Sequence, residues 1–135
     1  MRILDVDVEV NLENMSDLEK YLPLIEKYVK AIKKTPLQQE MTKINALNCS
    51  QAEKEKKLQA LGTEKTLESF RYMYDIARAF ISDITDNNGD ISEQLGDNFN
   101  LTIMTAKDIH DQLKQQIIIL SQQMEASTAA MKIVE

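Results

Sequence analysis

The sequence predicts a mainly α-helical bundle with a short N-terminal β-strand and a long C-terminal helix, as a single helical domain over residues 1–135. Three observations carry this. First, Ala106, His110, Leu113, Ile117, Leu120, Met124, Ser127, Met131 and Val134 follow one another by alternating steps of four and three, which places them all on one narrow stripe of a helix. Second, the 135 residues include only three glycines and two prolines, few for the turns of an all-β fold. Third, 43% apolar and 28% charged residues is a globular composition rather than a disordered one.

Taken in order, Leu4, Val6, Val8, Val10 and Leu12 alternate with Asp5, Asp7, Glu9 and Asn11, predicting a strand over 3–12. Its backbone groups need a second strand, from this chain, another copy or a partner. Ser16 to Glu19 form a capping-box pattern that opens a helix over 16–34. Pro23 must kink that helix or mark a fresh start within it. A second helix covers 37–61, with a thin stripe of Leu37, Met41, Ile44, Leu47, Leu58 and Leu61. Its polar middle implies either a break near Asn48–Ser50 or a solvated arm. Gly62 and Thr63 pair a C-cap with an N-cap. In the helix over 64–84, Leu67, Phe70, Met73, Tyr74, Ala77, Phe80, Ile81 and Ile84 form the strongest apolar face and the expected centre of the core. Asp86 to Asp90 is a turn. A short helix over 91–95 ends at Gly96, and Asn100 is placed to cap a last helix over 100–133.

Charge and cysteine content bound the setting. Sixteen basic against 22 acidic residues give a formal net charge of -6, which repels duplex DNA and anionic membranes at long range. Cys49 is the only cysteine, so no internal disulfide forms and a reducing compartment is favoured. No stretch approaches the ~20 apolar residues of a membrane span, and the alternating N-terminus is unlike a signal peptide. The expected location is the cytoplasm.

Candidate chemistry is sparse. In the acidic turn, starting an EF-hand loop at Asp86 puts Ile91 where glycine is required, and fixing Gly89 there puts Ile84 at the first ligand position. His110 is the sole histidine and has no second ligand or orienting acid in helical register, so it is read as a polar residue of the seam. Cys49 has no base to activate it, although Lys54, Lys56 and Lys57 are near in sequence. Asp5, Asp7 and Glu9 fit the charged face that protects a strand edge. Lys27, Lys30, Lys33 and Lys34, set against an acidic net charge, fit a solvated helix face rather than a nucleic-acid site. No catalytic, cofactor or metal residues are assigned, and the protein is expected not to be an enzyme.

What remains is surface. A last helix of ~35 residues is ~50 Å long, more than a domain of this size spans. Its end must project beyond its own core. Leu113, Ile117, Leu120, Met124 and Met131, with Val6 and Val8 of the strand, are therefore the expected partner-binding residues. Burying such a stripe favours self-association, most simply as a two-fold dimer.

The run Gly89-Asp90-Ile91-Ser92-Glu93-Gln94-Leu95-Gly96-Asp97-Asn98-Phe99-Asn100-Leu101 sets a short amphipathic helix between two glycines before the last helix. With the strand Val6-Asp7-Val8-Glu9-Val10, a helix over Leu18–Lys34, a polar arm and the helix Leu67–Ile84, it resembles small tail-assembly-chaperone-like proteins of long-tailed phages and prophages. The resemblance spans about residues 3 to 120. It implies a non-enzymatic role in a bacterial host cell, keeping a tape-measure-type client soluble and helping recruit tail-tube subunits. The alternative is a small acidic phage-type inhibitor or regulator of a host nucleic-acid machine, whose acids would compete with phosphate.

Overall fold

A computed structural model describes residues 1–134, apart from the side chains of Glu64 and residues 130–134. The expected class is the observed one: a helical fold with a short N-terminal two-stranded sheet and a long final helix. In chain order the elements are β1 (Arg2–Ile3), β2 (Val6–Asp7), α1 (Met15–Ile32), α2 (Pro36–Asn45), α3 (Gln51–Gln59), α4 (Gly62–Ile84), α5 (Gly89–Leu95) and α6 (Phe99–Val134).

The core is built by α1, α4 and α6. Tyr28 of α1 stacks on Phe80 of α4 with ring centroids 4.3 Å apart. The Tyr72 hydroxyl donates to the Ala31 carbonyl at 3.1 Å, and Lys20 meets Asp86 at 3.0 Å, so α1 runs antiparallel to α4. The Tyr74 hydroxyl reaches Gly96 O at 2.9 Å and Arg78 reaches the Ser92 hydroxyl at 2.9 Å, so α5 runs back along α4. Phe99 then lies edge-on to Phe70 at 5.3 Å. Thus α6 starts beside the early part of α4 and runs in the same direction. Ile3, Leu12, Ile84, Ile91, Leu95, Ile109 and Leu113 are the large aliphatics fully enclosed among these elements.

The N-terminal alternation is not one strand. The chain turns back at Leu4–Asp5, and Arg2 and Ile3 pair antiparallel with Asp7 and Val6. The missing second strand is thus the first residues of the same segment. Leu4 takes φ 56° in that turn, a region that a branched side chain seldom occupies. Val8 still exchanges bonds with Met1, its N–H donating to Met1 O at 2.8 Å and the Met1 ammonium donating to Val8 O at 2.9 Å. From Glu9 onward the arm has no strand neighbour, and α6 supplies partner groups instead. The Leu12 N–H donates to Gln116 Oε1 at 2.9 Å, and Gln116 Nε2 donates to Val10 O at 3.4 Å. One turn earlier, Gln112 donates to Arg2 O at 3.1 Å. Two glutamines of α6 therefore clamp the arm. Gln116→Ala is expected to cost about 1–2 kcal/mol by orphaning the Leu12 N–H. Urea midpoints measure this, with faster hydrogen exchange at Leu12; an unchanged midpoint would mean the clamp holds nothing.

Other boundaries move for local reasons. Asn14 rather than Ser16 is the N-cap of α1, and the capping box expected at Ser16–Glu19 is not made. Asp17 instead accepts the Asn11 N–H at 2.9 Å. Helix α1 continues through Pro23, where the carbonyl left without a donor belongs to exposed Glu19. The helix expected over 37–61 is two helices, because Ser50 caps a new start: its hydroxyl accepts from Glu53 N at 3.3 Å. The capping box the chain does make is Thr35 with Gln38, preceding Pro36 at the first helical position. Asn98, not Asn100, caps α6 by accepting from Leu101 N at 2.9 Å.

Candidate interaction surface

The seam of α6 passes through three environments. Phe70 and Ile84 are fourteen residues apart, as are Phe99 and Leu113; with Phe70 beside Phe99, α4 ends level with Leu113. Up to that point the stripe is core: Ala106 and Leu113 are fully buried, with Ile109 beside them. Over the next two turns the N-terminal arm takes over, and Ile117 and Leu120 are half-buried against the core. Between Ser121 and Ala129 the fold offers nothing to cover it. Every residue from Ser121 to Ala129 is exposed, and Met124 keeps 67% of its surface in solvent. Met131 belongs to the same stripe in sequence, but its side chain lies outside the described residues. Leu113 is enclosed in the core, so a partner would find Ile117, Leu120 and Met124. Val6 and Val8 are half-buried and pack against the core through their inward faces.

A shallow groove of about 210 Å³ opens where α6 leaves the domain, lined by Val10, Asn11, Glu13, Gln116, Ile119 and Leu120. Ile118 and Ile119 are exposed on the side of α6 away from the seam, so the helix is apolar all round at this level.

A second apolar surface was not anticipated by the helical face rule. Leu67 and Phe70 were expected in the core, but Leu67 is 66% and Phe70 50% exposed. The reason is the parallel start of α6. Phe70 meets Phe99, the first residue of α6, so Leu67 lies past the end of the neighbour that would cover it. With Tyr74 they line an open groove of about 520 Å³ rimmed by Arg71 and Asp97. Ala77, Phe80, Ile81 and Ile84 are buried, so the apolar face of α4 is core only along its second half.

The titratable candidates fall apart in space. Asp86 and Asn87 both have positive φ; Asn88 caps α5, and Asp86 is paired with Lys20. Among the described residues, no three His, Cys, Asp or Glu side chains gather as a metal site. His110 sits 3.4 Å from Asp111 and against the Tyr28 ring, centroids 6.1 Å apart. Cys49 is half-buried in the link between α2 and α3. Lys54, which the sequence set near it, donates to Asn45 O. Lys27, Lys30 and Lys34 line one open groove with Tyr72. Asp5, Asp7, Glu9 and Glu13 are exposed, and Asp5 accepts from Gln94.

Among the described residues, Tyr28 is the one buried titratable group with a displaced equilibrium. Burial, and then the charge of Asp111, hold its phenol above the usual 10.0. The unfolded chain therefore loses this proton first as pH rises, so the contribution is intact below about pH 10 and falls away as pH climbs toward the folded value. Stability is expected to decline above pH 10 more steeply in the unmutated protein than in Tyr28→Phe. Parallel denaturant titrations across that range check it; equal slopes would remove Tyr28 as the cause.

Among the described helices, none is long and apolar enough to cross a membrane. Compared with protein-family models, curated proteins and solved structures, the chain matches none of them.

Proposed function

We propose that this protein is a non-enzymatic helical binding module of the tail-assembly-chaperone type, presenting α6 to a long helical client of tape-measure type. The observation that supports the reading most is the unburied run Ser121–Ala129, which carries the core stripe of α6 out of the domain. A seam of Ile117, Leu120, Met124 and Met131 suits an amphipathic client helix, since both partners then bury apolar surface that water disfavours. The role requires no cofactor.

Co-expression tests it. A tape-measure-type protein made with this chain should stay in the soluble fraction and co-purify with it. With Met124→Glu, both effects should drop several-fold while the helix content of the chain is unchanged. An insoluble client in both cases, with no co-purification, would sink the proposal.

The alternative, an acidic regulator of a nucleic-acid machine, has the exposed Asp5, Asp7, Glu9 and Glu13 in its favour. Elsewhere acids are interleaved with bases, in pairs such as Glu40 with Lys43, Lys65 with Glu68 and Arg71 with Asp75. Interleaving of this kind weakens the extended negative field that phosphate mimicry needs.

A further inference from the structure

We propose that, in the absence of a client, the free stripe of α6 is covered by the same stripe of a second copy, in antiparallel orientation. This rests on the reading of α6 as the binding element and names its resting partner. The seam has two alternating sets of positions: Ile117, Met124 and Met131 in one, Leu120, Ser127 and Val134 in the other. In an antiparallel pair, one register brings every member of one set opposite a member of the other. Met124 then faces Ser127 of the second copy, the smallest seam residue there against a long flexible one. Leu120 comes level with position 131, and Ile117 with position 134. Met131 and Val134 enter here by heptad position alone. The tip of each helix ends beside the groove of Val10, Ile119 and Leu120 on the other copy.

Charge admits a second copy as the occupant and selects the direction. The flanking seam positions Ser121, Gln123, Thr128 and Ala130 are all uncharged, so nothing opposes two identical helices coming together. Between Ser121 and Val134 the only charged residues are Glu125 and Lys132, which cancel. The -6 of the whole chain therefore resides almost entirely outside this segment. A parallel pair would set two acidic bodies side by side. The antiparallel register offsets Leu120 of one copy from Leu120 of the other by eleven residues, ~16 Å along the axis, about two Debye lengths at physiological salt. Ile117 and Leu120 are already half-buried against their own core, so the contact centres on Met124 and Ser127. Such a contact is smaller than a standard interface, and a micromolar dissociation constant is expected.

Sedimentation velocity of the unmutated protein from low to high micromolar concentration should show a monomer passing into a dimer, and Met124→Glu should remain monomeric with unchanged circular dichroism. In a Cys49→Ser background, Leu120→Cys combined with Met131→Cys should give a disulfide-linked dimer on mild oxidation. Leu120→Cys alone should not, because the two thiols lie too far apart for a bond. A monomer throughout the concentration series, or cross-linking of the Leu120→Cys single variant, overturns the proposal. The client assay is independent. Loss of the dimer with client binding retained removes only this pairing; a dimer that meets no client removes only the chaperone reading.

Discussion

Leu113→Ala is expected to destabilise the fold by about 3–5 kcal/mol, and Met124→Ala by less than ~0.5 kcal/mol, although both residues lie on one stripe of one helix. The stripe is continuous in sequence but not in environment. Leu113 is fully enclosed where α4 ends and the N-terminal arm crosses. Its truncation removes transfer free energy and leaves a cavity whose walls come from three elements. Met124 stands in solvent with 67% of its surface exposed, so its truncation removes little that folding had buried. Urea unfolding followed by circular dichroism measures both, at low micromolar concentration where a weak self-pair is dissociated. Equal costs would show that the distal half of α6 is covered in solution by something other than solvent. A small cost at Leu113 would contradict its place in the core.

The legible part of this fold is the part governed by period. Alternation along Leu4–Leu12 correctly separates inward valines from outward acids, and steps of three and four locate α1, α4 and α6 to within a few residues. Interruptions were legible only where the residue type has one dominant use. Gly96 closes α5 as expected, with φ 49°. Serine, asparagine and threonine have several uses, and choosing among Ser16, Asn14 and Thr35 as caps depended on where the chain entered each helix. The hairpin at Leu4–Asp5 was hidden because it lacks a turn dipeptide and puts a leucine at positive φ. The candidate surface was legible in outline, because a helix this long must outrun its domain. Where it does so was not, since this depends on α4 and α6 running in the same direction, a long-range fact. The same geometry exposes Leu67 and Phe70, which local pattern alone assigns to the core. The role of Gln112 and Gln116 has no sequence signal for a related reason: a polar side chain on a helix becomes the arm's partner only when tertiary structure brings an unpaired backbone to it.

Phe80→Ala is expected to cost about 3–5 kcal/mol, against about 1 kcal/mol or less for Phe70→Ala ten residues earlier on the same helix. Phe80 is buried and lies nearly flat on Tyr28, 4.3 Å between centroids and 13° between planes. That stack fastens α1 to α4 at mid-height, and His110 of α6 lies tilted against the same Tyr28 ring, centroids 6.1 Å apart. Removing the Phe80 ring therefore loosens the junction of all three long helices. Part of the loss belongs to the pair itself. A double-mutant cycle with Tyr28→Leu should return a coupling of roughly 0.5–1.5 kcal/mol, the range of an aromatic pair beyond its buried area. Phe70 meets Phe99 edge-on and keeps half its surface in water. Its loss removes one aromatic contact and opens no cavity. Thermal and urea unfolding of the two alanine variants supply the comparison. If Phe70→Ala proved as costly as Phe80→Ala, the first half of α4 would have to be covered in solution, and the groove beside Arg71 and Asp97 would be an occupied interface rather than a free one.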